Sequence, residues 1–435
     1  MTEMTIDRRS MMAAVAGTAL ASAVPAAARS SEPVLSTGAL QSLIDSYVSA
    51  GRVPGAVVAL VTPGKHRPQF LSAGTMAFGG SEKATPDSLW RVYSMSKPIT
   101  AMAIMQRVAT GELKLDQPVS EVLPEFAGQR VLVDPAKGLD SVPTDKVMTF
   151  RHLLTHTSGL SYAINGEGAL EREYRRVGVQ PGSINGFLRP GDAPLPDLTG
   201  MVTALAGLPL WQAPGTGWRY SVGLDVAGAA LERLTGQGFD KVLDTQLFGP
   251  LGMKSTGFWA REPSRLADNY AWFTPDGRLL DKPQPIRPIE RDGFTTRPKL
   301  LSGGGGLVAS ARDYARFAQM LLNEGEFEGR TVMPRGTARL AMSNLMPQGL
   351  FFEGRNGFGA GGRLTLFDTR NGDAGGSVNG SPAEAYGWGG AAGTLFMVDR
   401  VRQLAVVVML QFMPFNRFPL EKDMGQALNR DAASR

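Results

Sequence analysis

The apolar positions along this chain predict a helix over Ala39–Ala50, followed by a β-branched run at Val53–Val61 whose flanking turn residues mark a strand. Gln69–Gly74 reads as its hairpin partner, and a Pro/Asp loop at Thr85–Ser88 follows. From Pro98 to Thr110 the chain is apolar on almost every side (Ile99, Met102, Ile104, Met105, Val108), which predicts a buried helix. Helix and loop then alternate to about residue 300. Thr149 is placed to cap a short helix ending at Gly159, Gly178–Pro214 is a Gly/Pro-rich loop, and Leu224–Leu234 is a helix closed by Thr235-Gly236. After the boundary at Ser302–Gly306, Ser310 and Asp313 form a capping-box pattern, and Tyr314, Phe317, Leu321 and Leu322 trace a stripe that stops at Gly325. Strands return at Arg363–Phe367, Thr394–Val398 and Gln403–Leu410, ahead of a last helix at Leu420–Asn429.

Strands at both chain ends with helices between them predict an α+β fold. One antiparallel sheet is built from the N- and C-terminal segments, flanked by helices, with a helical lobe inserted. Residues 36–93 and 300–435 are expected to form an α/β sandwich lobe, and 94–299 a mainly helical one. Composition adds mostly exclusions. The net charge of +5 comes from Lys and Arg that are scattered and interrupted by acids, so no basic surface for nucleic acid is expected. The absence of cysteine rules out disulfides, thiolate catalysis and cysteine-based metal sites. At the N-terminus, Arg8-Arg9 precedes a weakly apolar run, Ala13–Val24, and the small residues Ala26–Ala28. Residues 1–28 therefore read as a twin-arginine-like export signal, with a periplasmic or secreted destination. No later stretch reaches the ~18 uninterrupted apolar residues of a membrane span.

The candidate chemistry lies at Ser94-Met95-Ser96-Lys97, just before the buried helix. On a helical turn, positions i and i+3 share a face with Cβ atoms about 5–6 Å apart, so the Lys97 amine can reach the Ser94 hydroxyl. The N-terminal dipole favours a developing oxyanion; together with burial it disfavours a cationic Lys97, which suits the lysine to act as a base. Pro98 fits a first turn, where no hydrogen bond is lost. Ser96 is a rival nucleophile in the same turn but has no lysine at the matching spacing.

Ser94-Met95-Ser96-Lys97-Pro98 and the later run Phe150–Leu160 (FRHLLTHTSGL) resemble the serine β-lactamase and penicillin-binding-protein superfamily. Pro214-Gly215 leading to Trp218-Arg219-Tyr220-Ser221, and Tyr386–Thr394 (YGWGGAAGT), follow in the matching order, so the resemblance spans residues 40 to 415. The Trp-Gly-Gly segment is most similar to that of family VIII carboxylesterases. The resemblance implies Ser94 as the acylated nucleophile, Lys97 as proton acceptor and Tyr220 as the acid or base that relays the proton to the leaving group. It also implies an oxyanion hole from the backbone N–H groups of Ser94 and Ala391, with Gly389 and Gly390 allowing close backbone approach, and no cofactor.

Two departures bear on substrate. Where the Tyr motif of β-lactamases and peptidases of the superfamily continues to an Asn, this chain has Val222; where their late motif usually starts with a Lys, it has Trp388. An anionic lactam or peptide terminus loses an ion pair, and a neutral apolar group gains a wall. The expectation is a serine carboxylesterase, or transesterase, acting on small neutral esters. The alternatives are a β-lactamase, a D-alanyl-D-alanine carboxypeptidase, or a non-catalytic envelope sensor. Other signals are weaker. There is no G-x-S-x-G elbow, and Gly375–Asn379 fails at its last position. Of three histidines, His66, His152 and His156, the last two stand at i and i+4 but lack the Glu of a zinc motif. The glycines at 303–306 lack the G-K-[ST] of a phosphate loop and read as a tight turn. Trp211, Trp218, Tyr162, Phe351 and Phe352 are candidates for the pocket lining.

Overall fold

The run at Val53–Val61 is apolar throughout because its strand is buried on both faces. In β1 (Gly55–Val61), Val57, Ala59 and Val61 point into one core cluster and Ala56, Val58 and Leu60 into another. That is the two-residue period of a strand covered above and below. The structure is a computed structural model and describes residues 35–64, 67–179, 197–274, 277–286, 293–354, 356–365 and 385–433. The expected export signal, His66, residues 180–196 of the expected Gly178–Pro214 loop, Phe367 and Gly375–Asn379 lie outside the described residues, and the described part of that loop contains a helix, Leu198–Ala206, capped by Asp197.

β1 pairs with β2 (Gln69–Gly74) on one side. On the other it meets the last strand of the sheet, Leu404–Met409, in the antiparallel register Val57↔Met409 to Val61↔Ala405. With the C-terminal strands numbered β3 (Gly357–Phe358), β4 (Arg363–Leu364), β5 (Ala385–Gly389), β6 (Leu395–Asp399) and β7 (Leu404–Met409), the order is β3-β4-β5-β6-β7-β1-β2. Every pairing is antiparallel. The sheet is thus closed by the two ends of the chain, as the strand pattern predicts. Leu40, Ile44 and Tyr47 of helix Gly38–Ser49 pack with Met424 and Ala427 of helix Leu420–Ala433 on one face. On the opposite face Tyr314 and Phe317 of helix Ala311–Leu322 join the larger cluster, which runs on into the segments between the terminal strands.

Two local expectations changed. Ser310 caps its helix by accepting from the Asp313 N–H at 3.1 Å, but the Asp313 carboxylate does not return the bond. It accepts instead from the Ser255 N–H and Thr256 hydroxyl, tying a distant loop to the helix start. Thr149 does form a capping box, with His152 in place of the usual Glu: the Thr149 N–H donates to His152 Nδ1. That helix ends at Leu154, well before Gly159.

Candidate active site

The buried helix Ser96–Ala109 is preceded by a single tight turn, Tyr93–Met95, which carries Ser94. Its first residue, Tyr93, has φ +42°, a left-handed conformation that costs a non-glycine residue about 1–3 kcal/mol. The surroundings hold it there: Tyr93 is buried, its ring packs edge-on to Phe294, and its hydroxyl accepts from Asn269 Nδ2 at 3.0 Å. This turn presents Ser94 while the helix behind it is sunk in the core, with Ser96 to Met105 all buried.

Three side chains meet at the turn. Ser94 Oγ lies 2.6 Å from the Tyr220 hydroxyl, and Lys97 Nζ donates to Ser94 Oγ at 3.2 Å. Lys97 is fully buried; its amine also donates to the Gly304 carbonyl at 2.6 Å and stands 4.5 Å from the centre of the Tyr220 ring. Ser96 is turned away from Tyr220, its hydroxyl accepting from the Leu307 N–H. Tyr220 lies three residues before the start of the helix Gly223–Thr235. Its carbonyl accepts from Asn165 Nδ2 at 2.7 Å, and its neighbour Arg219 is anchored by Glu171 and Ser161 with the guanidinium stacked on Trp211.

The Trp388 segment reaches the same place. β5 ends at Gly389, and a Cβ on Gly390 would stand 2.5 Å from the Val92 carbonyl, two residues before Ser94. Only glycine allows that approach. The N–H of Ala391, in the turn that follows, meets no acceptor among the described residues. Trp388 is half-buried with its ring 6.1 Å from that of Tyr220. Trp218 and Tyr162 also border Tyr220, and Phe352 packs between Trp218 and Trp388. Phe351 is exposed, and Trp211 lies under Arg219 instead. Val222 needs correcting: it is fully buried in the main core with its N–H on the Ser161 carbonyl, so it supports the helix start and offers no open wall to a substrate.

Two elements of the site escaped sequence reasoning. Asp225, in the first turn of the Gly223–Thr235 helix, is completely buried, and Oδ1 accepts from the Ser302 hydroxyl at 2.6 Å and the Gly304 N–H at 3.0 Å. Burial pushes its carboxyl above the usual value, opposed by the Ser302 hydroxyl, the charge of Lys97 and the Gly304 N–H. The glycine run is the other. Gly304 accepts from Lys97 through its carbonyl and donates to Asp225 through its N–H, and the Gly303 carbonyl accepts from Thr100. A Cβ on Gly303 would meet the Leu224 carbonyl at 2.5 Å. The run's density of glycine was itself a signal of close backbone approach. Gly303→Ala should destabilise the protein by about 1–3 kcal/mol and lower turnover by moving the Gly304 carbonyl off Lys97. A urea midpoint and an ester assay check this; an unchanged midpoint would remove the glycine argument.

His152 and His156 are each committed to protein partners, His152 in its capping box and His156 at Ser221. His156 is fully buried, and burial with the nearby Lys97 charge holds it well below its ordinary value. The unfolded chain titrates this residue near 6.5, so below that pH it binds a proton that the folded protein refuses. The stabilisation is complete above about pH 6.5 and is lost as pH falls from there toward the folded value. Denaturation of wild type and His156→Asn across pH 5 to 8 should show the wild type losing stability relative to the variant on the acid side.

The β-lactamase family model matches residues 40–429. The chain belongs to the β-lactamase family. Among curated members it is 32% identical over 392 residues to esterase EstB of Burkholderia gladioli, covering 85% of this chain and 89% of that one. It is 27% identical over 427 residues to the lovastatin esterase of Penicillium rubens, covering 90% and 97%. Among solved structures, EstCE1, described as a hydrolase with promiscuous acyltransferase activity, superposes with a TM-score of 0.72 at 25% identity, covering 90% and 97%. Esterases among the relatives of this β-lactamase-family chain agree with the resemblance to family VIII carboxylesterases drawn from its Trp-Gly-Gly segment.

Proposed function

We propose that this chain is a serine carboxylesterase that hydrolyses small neutral esters through an acyl-enzyme on Ser94, and that it also passes the acyl group to alcohols. The observation that carries the reading is the placement of Ser94 Oγ between the Tyr220 hydroxyl, at 2.6 Å, and Lys97 Nζ, at 3.2 Å. As Oγ attacks the ester carbonyl, the Ser94 proton passes to the Tyr220 oxygen, which acts as the phenolate of a coupled Lys97–Tyr220 pair holding one proton between amine and phenol. The carbonyl oxygen gathers negative charge against the N–H groups of Ser94 and Ala391. As the tetrahedral centre collapses, the C–O bond to the alcohol breaks and Tyr220 returns the proton to that oxygen. Water then attacks the acyl-enzyme, gives its proton to Tyr220, and releases the acid as Ser94 regains its hydrogen. An alcohol in place of water gives the transfer reaction; the EstCE1 description supports that second outcome.

The aromatic surround favours a neutral substrate. Trp388, Trp218 and Tyr162 border Tyr220, and Trp388 replaces the cation that would hold a substrate carboxylate. Purified protein should therefore turn over a short-chain nitrophenyl ester far faster than a chromogenic cephalosporin or a D-Ala-D-Ala peptide. Peptide or lactam turnover exceeding that of the ester would overturn the substrate assignment, and stoichiometric acylation without turnover would favour a sensor. On the strength of Arg8-Arg9 and the Ala13–Val24 run, we further infer export to the periplasm or beyond. Cell fractionation after replacing both arginines with lysine tests it; unchanged export would remove the twin-arginine assignment.

A further inference from the structure

His156 belongs to the Phe150–Leu160 run, yet the reaction above does not use it. It sits at φ +58°, fully buried, and its hydrogen bonds reach both chain neighbours of Tyr220. Its backbone carbonyl accepts from the Arg219 N–H at 2.8 Å, and its Nδ1 accepts from the Ser221 N–H at 3.2 Å. The Ser221 hydroxyl lies 3.0 Å from the same nitrogen. Nδ1 therefore carries no proton, and the imidazole hydrogen is on Nε2. Among the described residues Nε2 has no hydrogen-bonding partner; the ring is boxed by Tyr220 at 4.8 Å, Phe358 at 5.4 Å and Trp218 at 5.6 Å. An N–H enclosed by aromatic faces gains only weak contacts, so the site keeps an imidazole there at a cost in desolvation.

We propose that His156 is the positioning residue for Tyr220, gripping the backbone on both sides of the tyrosine and underlying its ring so that the phenol oxygen stays on Ser94. Few side chains can fill this place. It needs a planar acceptor at the Nδ1 position, on a residue that tolerates left-handed backbone, with no second proton to repel the Ser221 N–H. Asparagine shares the acceptor position and the backbone tolerance; phenylalanine keeps a ring and loses the acceptor.

The proposal rests on Tyr220 as the proton carrier, and the test separates the two. A nitrophenolate leaves without a proton, whereas an alkoxide requires one. Misplacing Tyr220 should therefore slow attack on both esters and cost alkyl esters a further loss at the leaving step. In His156→Phe, kcat/KM on an ethyl ester should fall about 100-fold or more, the usual scale for a lost proton transfer, and by more than on the matching nitrophenyl ester. His156→Asn should recover most of the alkyl-ester activity. Tyr220→Phe should show the same leaving-group selectivity, and adding His156→Phe to it should cost little more. If His156→Phe does not fold, His156→Gly, which suits the left-handed backbone, replaces it on the same two esters. Equal losses on both esters beside a selective Tyr220→Phe would overturn the positioning role and leave the Tyr220 assignment standing. A Tyr220→Phe variant without selectivity would overturn both.

Discussion

Ser94→Ala should yield a folded protein whose ester turnover is lower by a factor on the order of 10⁶, the scale of removing a nucleophile from a working serine site. The fold should survive, because Oγ contributes only its contacts with Tyr220 and Lys97, and Lys97 keeps its bond to the Gly304 carbonyl. Denaturation should shift by no more than about 1 kcal/mol. Two measurements check the result: steady-state hydrolysis of a nitrophenyl ester, and the intact mass after treatment with a fluorophosphonate. The wild type should gain one adduct on the peptide carrying Ser94 and the variant none. Retained turnover in Ser94→Ala would end the serine mechanism, and an adduct on another serine would move it.

The second large effect concerns the pair that serves Ser94. Lys97→Ala and Tyr220→Phe should each lower kcat by about 10²–10⁴, and the double variant should be little worse than the poorer single one. Groups that handle one proton together lose that function once, so their effects do not add. Stability should separate them. Tyr220→Phe keeps the ring against His156, Trp218 and Trp388 and should unfold near the wild-type denaturant concentration. Lys97→Ala removes the buried cation whose charge Asp225 feels, and leaves that carboxylate buried without it. Losing that charge beside a carboxyl that burial already pushes up should lower stability. Adding Asp225→Asn should then restore much of the stability of Lys97→Ala without restoring turnover. If the double variant were no more stable than Lys97→Ala, the buried charge pairing would be wrong, whatever the kinetics showed.

The order of motifs and the local chemistry of each were legible in one dimension. The apolar run at Val53–Val61, the all-round apolar helix after Ser94 and the late strand runs predict an antiparallel sheet joined from both chain ends. They do so because strand and helix periods are local properties of the chain. The spacing of Ser94 and Lys97 is local in the same way, since residues three apart on a helical turn share a face. Tyr220 followed from motif resemblance alone. Nothing in its own surroundings announces that a phenol 126 positions from Ser94 will stand 2.6 Å from it.

Tertiary structure decided everything that depends on what the fold packs against a residue. Val222 reads as a substrate wall by analogy with a polar counterpart, yet the start of its helix is buried and the side chain goes with it. Asp225 looks like an ordinary first-turn acid; it becomes part of the site only because the loop at Ser302–Gly304 closes over it. The glycines there read as a turn and prove to be the space through which the Gly304 carbonyl reaches Lys97. His156 follows the same rule: its sequence neighbours suggest a helix end, while its partners Arg219 and Ser221 lie more than sixty residues away. The sequence by itself determined the periods and the turn that carries Ser94, because those are short-range. Which backbone amide meets which buried charge was settled by contacts that only the folded chain brings together.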